Sequence, residues 1–218
     1  MKNSLKIFAV GVLSMFVTSA AIAGGAIGIT VSAASIDAGG HEQLKTTAVK
    51  TTHSTSKDVV LASLFIENTD DETGITIGID YIPYNADAGK GSNTGDDDIE
   101  TSGTNTVNVD FKHHITLYFE KSVGDLGLYV KGGLSQVTVV TNDNLSTGAK
   151  YPSKDMSGYV LGIGVKRDLN NGFFFKIAGE YASYDGATFT SSGSDDVTTV
   201  ELVDLDVTQA KLSIGKSF

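Results

Sequence analysis

The last nine residues of the chain, Ala210–Phe218, alternate between apolar and small or polar side chains. The two sets fall on opposite faces of an extended segment, with Ala210, Leu212, Ile214 and Phe218 on one face and Lys211, Ser213, Gly215 and Ser217 on the other. Successive side chains of a β-strand point to opposite faces, so this pattern predicts a strand with one apolar and one wetter environment.

Seven further segments read as strands of the same kind. With the last one they are predicted at about 25–38, 58–67, 73–83, 106–121, 126–140, 158–167, 173–185 and 197–218. The connections alternate between long polar stretches, predicted at 39–57, 84–105, 141–157 and 186–196, and short turns. An even strand number with long connections on one side and short ones on the other is typical of transmembrane barrels.

The chain after residue 23 contains no apolar run of the length that a membrane helix needs, about 20 residues. A membrane crossing would therefore have to be a closed barrel, because an open sheet edge leaves backbone groups unpaired in hydrocarbon. The predicted fold class is all-β, an eight-stranded antiparallel up-and-down transmembrane β-barrel in one domain, 24–218. The architectural alternative is an exported soluble β-sandwich.

The first 23 residues predict a cleaved signal peptide. Lys2 and Lys6 precede an apolar run, and Ala21-Ile22-Ala23 supplies an A-x-A cleavage site. The apolar run is too short for a membrane-spanning helix. The formal net charge of −10 becomes −12 when Lys2 and Lys6 are removed with the signal, so nucleic acid is excluded as an expected partner. Cysteine is absent, which excludes a disulfide framework, and no cofactor is predicted.

The wetter faces of the predicted strands carry charges of both signs, which are expected to point into the barrel. These residues are Asp80, Asp110, Lys112, Glu120, Lys131, Lys166, Lys176, Glu180 and Lys211. The interior of an eight-stranded barrel is only wide enough for side chains to fill, so the charges are predicted to pair with one another. A narrow gated channel is the alternative.

The last strand contains a conflict of parity. Val203, Leu205 and Val207 lie in the opposite parity from Leu212 and Ile214. A bulge near Thr208 would place all five on the lipid side, whereas one parity throughout would put Lys211 in lipid, at about 2–4 kcal/mol near the midplane. A strand whose upper part rises clear of the membrane would also reconcile the two parities, and of these alternatives the bulge is predicted.

Two weaker patterns concern chemistry. His114 is predicted to face inward with Asp110 and Thr116, but a nucleophile needs a base and an orienting third group, so a structural histidine is the expected role. The Asp96-Asp97-Asp98 run could bind a divalent cation through carboxylate oxygens, although charge runs are usually solvated. No metal site is predicted from it.

The eight alternating segments and the terminal Phe218 together resemble the small bacterial outer-membrane barrels of the OmpA, OmpX and opacity-protein type. The resemblance implies that Leu212, Ile214 and Phe218 form a signal for the barrel-assembly machinery, with Lys216 as a departure from the usual pattern. It implies a monomer in the Gram-negative outer membrane, among outer-membrane lipid and lipopolysaccharide. The expected function is structural or surface-interacting through external loops that bind a surface ligand, without enzymatic activity; a narrow pore and a lipid A-modifying enzyme are the alternatives.

Overall fold

The computed structural model describes residues 24–44, 50–95, 103–144, 150–192 and 198–218. Ten strands and one turn of 3₁₀ helix follow one another along the chain: β1 (Gly25–Leu44), β2 (Lys50–Asp70), β3 (Ile75–Tyr81), β4 (Ala86–Gly95), β5 (Gly103–Val123), β6 (Leu128–Asn144), β7 (Lys154–Asp168), the 3₁₀ turn (Asn170–Gly172), β8 (Phe173–Tyr184), β9 (Ala187–Thr190) and β10 (Thr198–Ser217). Within the described ranges, no helix is long and apolar enough to cross a membrane.

The strands close into a ring of eight. The hydrogen-bonded order is β1-β2-β3-β5-β6-β7-β8-β10, all antiparallel, and β10 pairs back onto β1. β4 adds to β5 beyond the end of β3, and β9 adds to β10 beyond the end of β8, so each pair forms one interrupted strand. At the seam between β1 and β10, the buried hydroxyls of Thr30 and Ser213 lie 2.8 Å apart. The predicted eight-stranded antiparallel barrel is confirmed.

The outer surface carries an apolar band. Ile27 and Ile29 of β1 and Leu212 and Ile214 of β10 are each about half exposed on this surface. On β8 the band runs from Phe173 to Tyr181, about nine residues, which is close to the 9–11 that a tilted strand needs to cross a bilayer. The barrel therefore presents an apolar surface of membrane height.

The predicted long loops are largely strand in the structure. β1 continues to Leu44 and β2 begins at Lys50, so most of the predicted loop 39–57 is a hairpin extension. β4, β5, β6 and β7 likewise enter the loops predicted at 84–105 and 141–157, and β9 enters the one at 186–196. The outward faces of these stretches are polar because they lie beyond the apolar band, so they lack the alternation that marks a membrane strand.

The ring is interrupted beside β4. Within the described residues, β2 pairs with β3 only from Leu64 to Asp70, and no ladder joins β2 to β4. Pro83 cannot donate to a ladder, and it stands in the break between β3 and β4. Side chains bridge the interruption instead, since the Tyr84 hydroxyl accepts from the Ala62 amide at 2.6 Å.

A second bridge lies further along the same interruption. The Lys57 ammonium is 3.0 Å from a carboxylate oxygen of Asp87. That hydrogen bond lowers the pKa of the Asp87 carboxyl below its ordinary value. Two polar contacts thus connect β2 to Tyr84 in the break and to Asp87 of β4, where backbone pairing is missing.

A bulge in β5 reverses the predicted orientation of the side chains that precede His113 in this strand. His113 has a positive φ of 52°, and the register shifts between Lys112 and Ile115, so that His113 and His114 together oppose one residue of β6. Asp110 and Lys112, expected in the interior, consequently lie on the outer side of β5, where Asp110 accepts from the Asn142 amide at 2.9 Å. Val109 and Phe111 take the inward positions and pack against the buried core.

The bulge predicted near Thr208 is absent from the described strand. The pairing of β10 with β1 is continuous from Ser217 to Asp204, and its only register shift is at Val203, opposite Gly39 and Gly40. Leu205 and Val207 are buried and share the inward parity of Ser213. The prediction fails because it assumed a uniformly polar interior, whereas the inside of the barrel beside Leu205 is apolar.

Glycines on the inner wall make room for aromatic rings. A Cβ placed on Gly78 would overlap the ring of Tyr118, which faces it across the β3–β5 pair. Gly28 stands in the same relation to Phe65, and Gly164 to Tyr129. Bulky aromatic side chains can therefore lie inside a narrow barrel because the residue opposite each of them is a glycine, which has no side chain.

We predict that Gly78→Ala lowers the free energy of unfolding by about 1–3 kcal/mol, the usual effect of overpacking a tight interior. Gly179→Ala is the matched control, because a Cβ at Gly179 meets nothing within 4 Å. Urea titration of both variants in lipid vesicles, followed by the heat-dependent shift of SDS gel mobility, measures the difference. Equal stability of the two variants would contradict the proposed packing of Tyr118 on Gly78.

Candidate functional site

Seven charged side chains cross the inside of the barrel in the half nearest the short turns. This ion-pair network consists of Glu67, Asp80, Glu120, Lys131, Lys176, Glu180 and Lys211. At one end of it, the Lys176 ammonium lies 2.6 Å from Glu67 and 2.7 Å from Glu120. The Tyr118 hydroxyl donates to the same Glu67 oxygen at 2.8 Å.

The other end of the network is built around Glu180. Its carboxylate receives the Lys131 ammonium at 2.7 Å and the Lys211 ammonium at 3.4 Å. Lys211 also lies 3.2 Å from Asp80, which accepts a further hydrogen bond from the Ser63 hydroxyl at 3.0 Å. Each lysine of the network is therefore paired with at least one carboxylate.

The closeness of these pairs follows from the fold. An eight-stranded barrel brings inward side chains from opposite walls into contact, and an ion removed from water needs a partner at close range. Lys176 on β8 reaches Glu67 on β2, a partner 109 positions away in sequence. The network thus ties distant strands together and leaves a small cavity of about 20 Å³ among its side chains.

The predicted interior charges divide into three groups. Asp80, Glu120, Lys131, Lys176, Glu180 and Lys211 lie in the network. Lys166 lies nearer the short turns, with its ammonium 4.3 Å from the centre of the Phe174 ring. Asp110 and Lys112 lie outside, beyond the β5 bulge.

Sequence reasoning missed Glu67, the most buried of the acidic residues at 1% exposure. The segment from Asp58 to Glu67 is apolar on both faces, so its register could not be read. One sequence signal could have found it. Glu67 is four positions from Ser63, so the two side chains share one face of the strand, and both are polar and buried.

The half of the barrel nearest the long connections has an apolar interior. A core of buried side chains lines it, comprising Ala34, Ile36, Val137, Val139, Met156, Val160, Ala182, Tyr184, Phe189, Leu205 and Val207. Among them is a cavity of about 50 Å³, which we call the apolar chamber. Since one water needs about 10–15 Å³ on this measure, the chamber holds about four atoms of that size.

Polar groups form the floor of the apolar chamber, where it meets the ion-pair network. His114, Thr116, Ser135 and Tyr184 make a connected cluster there. His114 Nε2 lies 2.7 Å from the Tyr184 hydroxyl and 3.1 Å from that of Ser135, and those two hydroxyls are 3.0 Å apart. His114 Nδ1 is buried and has no hydrogen-bond partner within the described residues.

The cluster contains part of the geometry of a nucleophile and base. Ser135 Oγ is close enough to His114 Nε2 to pass it a proton. The third member of such a triad would be a carboxylate on Nδ1, and no described carboxylate bonds to that atom. Asp110, which the sequence suggested as a neighbour of His114, lies on the other side of the strand.

The residues of the predicted assembly signal lie on the outer surface of β10. Leu212, Ile214 and Phe218 are 57%, 49% and 54% exposed, and the Phe218 amide donates to the Gly25 carbonyl at 3.0 Å. Lys216 shares their face, with its ammonium 5.4 Å from the centre of the Phe173 ring. The signal peptide and the Asp96-Asp97-Asp98 run lie outside the described residues.

No protein-family model matches the chain, and no curated protein matches it in sequence. Solved structures do match its fold. The outer membrane protein OprG from Pseudomonas aeruginosa aligns with a TM-score of 0.57 at 16% identity, over 90% of this chain and 97% of its own. The outer membrane protease OmpT from Escherichia coli gives 0.53 at 10% identity, over 89% and 97%.

A third similar structure is the outer membrane protein AlkL, solved by solid-state NMR in lipid bilayers. Its TM-score is 0.50 at 15% identity, over 90% of each chain. The closed ring, the apolar outer band and this common architecture define a small bacterial outer-membrane β-barrel. The chain has the fold of such a barrel, with an apolar band on its outer surface.

We predict that Lys176→Met lowers the free energy of unfolding by about 3–5 kcal/mol, because it leaves two buried carboxylates without their cation. Lys154→Met is the matched control, since Lys154 is exposed on β7. Urea unfolding in lipid vesicles gives both values. A loss for Lys176→Met no larger than that for Lys154→Met would show that the network does not stabilise the barrel.

Proposed function

We propose that the barrel admits small, largely apolar molecules to its apolar chamber, while the ion-pair network closes the rest of the interior to water and ions. The single observation that carries this proposal is the division of the interior into an apolar and an ionic half. A barrel with a purely structural role needs no cavity, and a water-filled pore needs a polar lining along its length.

The lining of the chamber supports an apolar occupant. Ile36, Val137, Val160, Leu205 and Val207 contribute only hydrocarbon to its wall. This part of the wall favours apolar molecules, because it offers water no hydrogen-bond partners. Burial of such a molecule gains roughly 25 cal/mol for each Å² of apolar surface.

The ion-pair network supports closure of the other half. Its side chains are almost fully buried, and they bond to one another across the barrel from β2, β3, β5, β6, β8 and β10. Opening an aqueous path there would require separating charges held at 2.6–3.4 Å. We therefore favour an apolar occupant over the narrow aqueous pore.

The membrane setting suggests the partners. We propose that lipopolysaccharide surrounds the apolar band on its outer side, and that the barrel-assembly machinery reads Leu212, Ile214 and Phe218 during insertion. The exposure of all three on the lipid side supports this role. We further propose that the protein is a monomer, exported by a signal peptide at 1–23, and that it acts without catalysis, although the fold also occurs in a protease.

We predict that n-pentane, which has five heavy atoms, shifts the methyl NMR signals of Val137, Leu205 and Val207 saturably in lipid nanodiscs. Ala182→Phe should abolish the shifts, because Ala182 lines the chamber and a ring there fills it. Ala33→Phe is the matched control, since Ala33 is exposed on the outer surface.

Two outcomes would contradict this function. Shifts that rise linearly with pentane, or that persist in Ala182→Phe, would mean that the molecule dissolves in lipid without entering the chamber. Discrete single-channel conductances of the purified protein in planar bilayers would instead support the narrow aqueous pore.

A second candidate function is contact with other surfaces. The extensions of β1 and β2 beyond the apolar band favour it, because residues 50–56 are all exposed and polar. Polar strands that rise above a membrane offer side chains to an external partner. This candidate keeps the expectation of a structural or adhesive role for the long connections.

We predict that shortening this hairpin reduces the adhesion of bacteria that produce the protein to cultured epithelial cells several-fold, without unfolding the barrel. Replacing residues 42–51 by Asn-Gly joins His41 to Thr52, which already face each other in the β1–β2 pair. The heat-dependent gel shift serves as the folding control. Unchanged adhesion with a folded barrel would remove this hairpin from the candidate function.

A further inference from the structure

We propose that the floor of the apolar chamber binds an uncharged polar end group, through His114 Nδ1, so that the preferred occupant is a short aliphatic molecule ending in a hydroxyl or carbonyl. This inference rests on the proposed function and adds the chemical class of the ligand. It starts from an unsatisfied buried atom of His114, a side chain that lines the chamber.

His114 Nδ1 is buried without a hydrogen-bond partner among the described residues, and the His114 side chain lines the chamber. A buried polar atom left unpaired destabilises the protein relative to a paired one. A ligand that supplies the missing partner recovers this free energy on binding. The other ring nitrogen is already bonded, since Nε2 contacts Tyr184 and Ser135.

The cluster does not fix whether Nδ1 donates or accepts a hydrogen bond, so the ligand can determine this role. Tyr184 and Ser135 contact Nε2 through hydroxyls, and a hydroxyl can either donate or accept. Nε2 can therefore accept a hydrogen bond from Tyr184, in which case Nδ1 carries the hydrogen and is a donor, or it can donate one, in which case Nδ1 is an acceptor. An alcohol satisfies both tautomers, whereas a carbonyl satisfies the one with hydrogen on Nδ1.

The charges beside the cluster exclude an anionic end group. Lys211, the ammonium that lines the chamber, is held by Asp80 and Glu180. The ion-pair network has four carboxylates and three lysines, so it offers no cation to an added carboxylate. A neutral end group avoids the cost of burying a further charge.

The volume of the apolar chamber determines the size of the molecules used in the test. Room for about four water-sized atoms suits ligands of four or five heavy atoms. n-Pentane and 1-butanol have five heavy atoms each and differ by a hydroxyl in place of a methyl group. Both are titrated into the protein in lipid nanodiscs, and the methyl signals of Val137, Leu205 and Val207 give the two affinities.

In His114→Phe we expect the affinity for 1-butanol to fall about fivefold, the worth of one neutral hydrogen bond. The affinity for n-pentane should change less than twofold, because the apolar wall is kept. Comparing each molecule with itself in the two proteins cancels its partition into lipid. Tyr184 and Ser135 still bond to each other in the variant, which preserves the cluster.

His113→Asn is the control, since His113 is the exposed neighbour and asparagine tolerates its positive φ. It should leave both affinities unchanged. In the wild-type protein labelled with ¹⁵N-histidine, 1-butanol should also shift the His114 Nδ1 signal while n-pentane leaves it in place.

The outcomes separate the inference from the function on which it rests. Equal losses of both affinities in His114→Phe, or tighter binding of butanoate than of 1-butanol, would overturn the neutral end-group site and leave the apolar chamber standing. Absence of saturable binding by either molecule to the wild-type protein would overturn both.

Discussion

Backbone pairing is the constraint on which the rest of this structure depends. In hydrocarbon every N–H and C=O must find a partner inside the protein, so the sheet has to close. Here the closure is made between β10 and β1, which pair over nineteen positions from Ala26 to Leu44. Closing with eight strands then fixes the radius, and the radius leaves room only for side chains. The interruption between β2 and β4 starts beside Tyr84, and there side-chain contacts from Tyr84 and Lys57 take the place of part of the ladder.

The narrow interior explains both halves of the candidate site. Charged side chains that must share so small a space are stable only in contact with opposite charges, and the network supplies them at 2.6–3.4 Å. Hydrocarbon side chains in the other half need no such partners, and branched shapes such as those of Ile36 and Val160 leave a gap among them. The two regions meet at Lys211, which lines the chamber while binding Asp80 and Glu180.

The outward faces of the strands could be predicted from the sequence, because lipid imposes one rule on them along the whole membrane band. Leu212 and Ile214 follow that rule, and seven of the nine predicted interior charges follow it by their complementary parity. The character of the inward side chains could not be predicted equally well. They face ionic surroundings in one half of the barrel and apolar surroundings in the other, while the outward side chains face lipid in both. Leu205 and Val207 read as lipid-facing only because an apolar interior was not considered.

The β5 bulge shows a second limit of pattern reading. One residue with positive φ, His113, changes the parity of everything beyond it, and no side-chain pattern announces a left-handed histidine. Its consequence reaches the candidate site, because the extra residue turns Phe111 toward the chamber. Without the bulge, Asp110 would stand inside in place of Phe111, and a carboxylate would occupy the wall that is now apolar. The chemistry of the chamber thus depends on a single irregularity in a strand whose sequence predicts regular alternation.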